Sequence, residues 1–75
     1  MPNMKKWATE MGLTSRQLAD QLDQSPASII QKLNSKTHWQ RKDCALLRMK
    51  YGLSSDFVQD LVPFEDVFPS GVEHN

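Results

Sequence analysis

The stretch LTSRQLADQLDQSPASIIQKLNSKT, residues 13–37, reads as two short amphipathic helices joined by a tight connection. Thr14 opens the first, with its hydroxyl placed to accept from a free backbone N–H while Gln17, three residues on, reaches back in a capping box. Leu18, Ala19 and Leu22 recur at helical spacing and give this helix one apolar face. A second start signal follows at once, because Ser25 is a good N-cap and Pro26 suits the first helical position, where its missing N–H costs nothing. Asp23 and Gln24 alone are left between the two helices. Ile29 and Leu33, four apart, form the apolar stripe of the second, and Asn34 is read as its left-handed terminator. So short a connection forces a steep crossing, with Ala19 small enough to let Ile29 approach.

Steeply crossed helices of this kind define a helix-turn-helix, whose second helix can enter a DNA major groove. Leu18-Ala19, the Ser25 cap, Ile29 and the run Asn34-Ser35-Lys36-Thr37 resemble the phage repressor/Cro-type (lambda-repressor-like, Xre-type) family. Ala19 falls on that family's small residue and Ile29 on its branched apolar one, and the match extends in outline over residues 4 to 62. The chain departs from the pattern at three places. Asp23 stands where the family usually has Gly at the turn, Lys32 where a core aliphatic is common, and Ser35 where Gly is usual between Asn and Lys. Asp tolerates the left-handed conformation better than most residues, and Leu33 is placed to supply the apolar contact one position later.

Seventy-five residues make one domain, near the lower end of what buries a stable core unaided. The single Cys44 cannot form an internal disulfide, which fits a reducing, cytoplasmic setting. Neither a signal peptide nor an apolar run approaching the roughly 20 residues of a membrane span is read in the chain. The zero formal net charge conceals a strong asymmetry. Residues 1–50 hold all nine Lys and Arg against four acids, a net +5, whereas residues 51–75 hold five acids and no base, a net −5. This division predicts a basic docking surface and an acidic end that faces away from an anionic partner.

Outside the pair, a first helix is expected over residues 3 to 11, capped by Asn3 and stopped by Gly12, with Met4, Trp7, Ala8 and Met11 on its core face. Lys5 and Lys6 lie off that face, on solvated surface or against phosphate. A fourth helix runs from about Arg41 to Tyr51, ended by Gly52, and a Thr37–Gln40 capping box would start it earlier. Cys44, Leu46, Leu47 and Met49 supply its buried face, and Trp39 covers the core edge before it. His38 and Cys44 lack further Cys or His at ligand spacing, so no metal site is read. A fifth helix starts at Ser54 or Ser55, presents Phe57, Val58, Leu61 and Val62, and ends at Pro63. The expected architecture is therefore all-α, a compact five-helix lambda-repressor-like domain over 1–63 followed by an irregular acidic tail over 64–75, extended or disordered. Phe64, Val67 and Phe68 in that tail either pack back on the domain or meet a partner, and a tail folded over the basic face would act as an electrostatic brake.

By the resemblance and by helix geometry, Pro26, Ala27, Ser28, Gln31 and Lys32 are the residues expected to face base edges, with Gln31 the best reader because its amide can bond adenine bidentately. Ser15, Arg16, Lys36, Thr37, Arg41 and Lys42 are expected to face phosphates. Phe57, Leu61, Phe64, Val67 and Phe68 are the candidates for a dimer surface. The implied function is sequence-specific binding of double-stranded DNA by a homodimeric regulator, with no cofactor, metal or small-molecule substrate. A protein-interaction module or antitoxin-like partner using the acidic, aromatic tail is the alternative. No nucleophile, base and orienting group cluster and no Gly-rich phosphate loop occurs, so an enzyme is not expected.

Overall fold

Local signals decide most helix ends, and the computed structural model, which describes residues 1–72, shows how. Among these residues there are six helices and no strand: α1 (Asn3–Met11), α2 (Ser15–Leu22), α3 (Pro26–Leu33), α4 (Arg41–Tyr51), α5 (Ser55–Val58) and α6 (Phe64–Val67). The Thr14–Gln17 capping box forms in both directions, Thr14 N–H donating to Gln17 Oε1 at 2.9 Å and Gln17 N–H to Thr14 Oγ1 at 3.1 Å. Ser25 Oγ accepts from Ser28 N–H at 3.2 Å, with Pro26 at the first position of α3. Gly12 and Gly52 close α1 and α4 at φ 72°, where a side chain would be strained.

Of the two non-glycine terminators, one meets expectation and one does not. Asp23 closes α2 in the left-handed region at φ 56°, as its residue type allows. Asn34, however, sits at φ −93°, and Ser35 instead takes the left-handed position at φ 61°, which lets Lys36 N–H reach Gln31 O at 2.9 Å. The αL residue is thus Ser35, one position later than expected.

The helices surround one core of Met4, Trp7, Ala8, Leu18, Ala19, Leu22, Ile29, Leu33, Cys44, Leu47, Leu53, Phe57, Val58 and Phe64. A Cα radius of gyration of 11.3 Å is that of a single compact unit of this length, for which about 11 Å is expected. On α4 the inward stripe is Asp43, Cys44 and Leu47; Leu46 is only half-buried, and Met49, expected inside, is 73% exposed because it lies on the opposite side of the helix from Asp43 and Leu47. Trp39 packs on the core edge as a half-buried residue, and Trp7 meets the edge of Tyr51 with ring centroids 4.8 Å apart. No helix of the described residues is long and apolar enough to cross a membrane.

The C-terminal third departs most from the sequence reading. Asn3 does not cap α1; Pro2 occupies that position, and the Asn3 side chain is buried. Its Nδ2 donates to Phe57 O at 3.0 Å and Val62 O at 2.8 Å, and its backbone N–H donates to Asp60 Oδ1 at 2.6 Å. Were α5 to continue, Phe57 O would accept from Leu61 N–H. Instead Asn3 and Asp60 N–H take that carbonyl, Leu61 N–H turns back to Asp56 O at 2.8 Å, and Asp60 goes left-handed at φ 62°. Helix α5 therefore stops at Val58 rather than Pro63. Replacing Asn3 with Ala removes two tertiary hydrogen bonds and leaves the Phe57 carbonyl under-satisfied, so a loss of about 1–3 kcal/mol is expected in urea denaturation; an unchanged midpoint would refute this account of the α5 end.

Residues 64–72 are neither extended nor irregular throughout. Pro63 leads into α6, Phe64 is buried, and Phe57, Phe64 and Phe68 pack as a triad with centroid separations of 5.3–5.7 Å. Lys6 Nζ lies 4.5 Å from the Phe64 ring centroid. Beyond α6, Val72 N–H donates to Glu10 Oε1 at 2.9 Å, which ties the segment to α1. Residues 73–75 of the expected tail, Glu73 among them, lie outside the described residues.

Candidate nucleic-acid interface

Helix α3 is amphipathic by its own spacing: Ile29, Lys32 and Leu33 point inward, while Pro26, Ala27, Ile30 and Gln31 are exposed and Ser28 lies at the boundary. Of the residues expected to face bases, Pro26, Ala27 and Gln31 are thus presented to solvent on one side. Ser28 is half-buried and its hydroxyl donates to Gln24 Oε1 at 3.2 Å. Ile30, which sequence reading did not single out, is 47% exposed beside Gln31.

Lys32 corrects the sequence reading. It is 7% exposed and turned away from the outer face, its Nζ 2.7 Å from Asp43 Oδ2, and Asp43 is fully buried. An isolated buried ammonium would carry a large desolvation penalty, so the position demands an acid and further acceptors. It has them: Lys32 Nζ also donates to Gln24 Oε1 at 2.7 Å, and it lies 5.9 Å from the Trp39 ring centroid. Gln24 Nε2 donates to Asp43 Oδ1, and Gln40 N–H donates to Asp43 Oδ2 at 2.9 Å at the start of α4. Among the described residues no buried side-chain nitrogen or oxygen lacks a partner, so the network is closed. Gln24 and Asp43 were not recognised from sequence as its members. The available signal was Lys32 itself, a base on the inward stripe of a short helix, which requires an acid from a neighbouring element.

The expected phosphate-facing residues divide in the same way. Arg16, Lys36, Thr37, Arg41 and Lys42 are exposed, and Ser15, in the first turn of α2, is half-buried. Arg41 and Lys42 share the first turn of α4 with Asp43, whose bonds to Lys32 and Gln24 hold that turn against α3 and the α2–α3 connection. Among the described residues the one ion pair is Lys32–Asp43, so none of these exposed bases is paired with a described acid. Lys5 is drawn toward α3, its Nζ donating to Asn34 Oδ1 at 2.9 Å.

Two of the expected dimer residues, Phe57 and Phe64, are buried in the chain's own core, because the phenyl triad of α5 and α6 consumes them; Phe68 is half-buried on the same triad. Leu61 at 67% and Val67 at 43% exposure remain available, Leu61 lining a groove with Thr37 and His38 and Val67 another with Met11 and Tyr51. His38 is exposed and Cys44 buried, and among the described residues no group of three or more His, Cys, Asp or Glu is placed to hold a metal ion. Comparison with protein-family models, with curated proteins and with solved structures finds no match to this chain.

Proposed function

We propose that the chain is a sequence-specific double-stranded DNA-binding regulator of the small phage repressor or Cro type, with α2 and α3 as its helix-turn-helix. The observation that carries this reading is the outer face of α3: Pro26, Ala27 and Gln31 stand exposed, and the exposed bases Lys36, Arg41 and Lys42 follow on the segment leading from α3 into α4, without an acidic partner among the described residues. An α-helix fits the major groove, where the Gln31 amide can bond the N6 and N7 of adenine while Ala27 offers contact to a thymine methyl. Backbone phosphates are then met by Lys36, Thr37, Arg41, Lys42 and Arg16, with Ser15 at the N-terminus of α2.

One α3 reads too few base pairs to define a site, so the regulator acts as a homodimer on half-sites about one helical turn, ~34 Å, apart. Leu61 and Val67, the expected dimer residues that remain exposed, supply the dimer contact.

Selection of bound duplexes from a random pool tests the reading, followed by titration of two variants. Gln31→Ala is expected to weaken the selected site by roughly 1–3 kcal/mol and to relax discrimination at one base pair. Lys36→Ala is expected to weaken all duplexes alike and to lower the salt slope by about one counterion. Equal losses on selected and random DNA for both variants would mean that α3 does not read sequence.

A further inference from the structure

We propose that Gln24 is a positioning residue for the reading face of α3: through Asp43 and Lys32 it fixes the rotation of α3 about its own axis relative to α4, and so sets where Gln31 points. The proposal rests on the DNA-binding reading above and adds to it the element that determines register.

Gln24 sits in the α2–α3 connection, and its one amide group bonds three side chains on two helices. Nε2 donates to Asp43 of α4, while Oε1 accepts from both Ser28 Oγ and Lys32 Nζ of α3. Ser28 and Lys32 are four apart, one turn of α3, so the amide grips that helix at two heights along one side. Lys32 then closes the triangle onto Asp43, and Asp43 is itself held by Gln40 N–H. Apolar contacts alone would leave rotation of the helix weakly specified, since burial is non-directional. Hydrogen bonds are not; their donor–acceptor window is only about 2.7–3.2 Å wide and weakens steeply with angle.

The required accuracy is of that order. At the outer radius of a helix, about 5–6 Å, a rotation of about 10° moves a side chain by about 1 Å. Such a shift is enough to break a bidentate amide contact to a base. A phosphate contact from Lys36, Arg41 or Lys42, made by a long side chain to a charge, tolerates it. Rotation of α3 therefore changes discrimination before it changes general affinity.

Two variants test this. Gln24→Ala keeps the Lys32–Asp43 pair at a half-buried position, and Gln24→Leu/Lys32→Met/Asp43→Leu replaces the network with apolar groups. Residual dipolar couplings of the α3 amides, measured without DNA, are expected to show α3 reoriented against α4 in both. Discrimination between the selected site and its single-base variants is expected to fall by about fivefold or more, with affinity for random duplex and the salt slope unchanged. Unchanged couplings in a folded Gln24→Ala protein would overturn the proposal, as would reoriented couplings with full discrimination. A wild-type protein without sequence preference would instead overturn the DNA-binding reading, and the couplings would still decide whether Gln24 orients α3.

Discussion

Asp43→Ala is expected to destabilise the protein by about 3–5 kcal/mol, because it leaves the Lys32 ammonium inside the molecule without its counter-charge. The same change strips the Gln40 N–H and the Gln24 amide of their acceptor. For a chain of this length, total stability is of the order of 4–11 kcal/mol, so the variant is expected to be partly unfolded at 37 °C. The partner experiment has the opposite outcome. Gln24→Leu/Lys32→Met/Asp43→Leu removes both charges and the Gln24 amide together and leaves the N–H of the exposed Gln40 to find water instead of Asp43. Well-packed apolar replacements of a buried network are commonly neutral or stabilising by about 1–4 kcal/mol. Urea denaturation of the two variants separates the cost of an orphaned charge from the net contribution of the network. An Asp43→Ala loss under about 1 kcal/mol would show that Lys32 escapes to solvent and that the buried network is not maintained.

Phe64→Ala is expected to cost about 3–5 kcal/mol, the usual range for truncating a buried phenyl. Phe64 is 6% exposed, it packs on Phe57 and Phe68, and Lys6 lies over its ring. For a domain of this size, each kcal/mol moves the melting temperature by about 4–8 °C, so a fall of more than about 10 °C is expected. Deleting residues 64–75 is expected to cost at least as much, since it removes Phe68 as well and bares the fully buried Phe57. Glu65→Ala, on the exposed side of α6, is expected to shift melting little, which makes it the control for a general effect of altering this segment. A melting temperature unchanged by Phe64→Ala would mean that α6 does not belong to the core. In that case Phe64, Val67 and Phe68 would be left to meet a partner, the other reading that their apolar character supports.

Sequence by itself determined the elements whose signals are local. A capping box, a Ser-Pro start and a Gly stop act over three or four residues, so the bounds of α1 to α4 and the short α2–α3 connection follow from Asn3 to Gly52 read in order. The exposed outer face of α3, Pro26, Ala27 and Gln31, follows from the same 3.6-residue period once Ile29 and Leu33 are placed inside. Tertiary structure alone decided what depends on distant partners. Asn3 reads as a cap from its neighbours, yet its amide is engaged 54 and 59 residues away, and that engagement shortens α5. Phe57 and Phe64 read as free apolar surface only while α6 is unrecognised, and a single-turn helix of four residues has too little periodicity to announce itself. Lys32 reads as a DNA-facing base by its charge, and it lies inward because Asp43, eleven residues on, and Gln24, eight residues back, are brought to its ammonium by the packing of α4 against the helix pair. Charge specifies only that a buried group must find a partner; the fold decides which one and on which side of the helix.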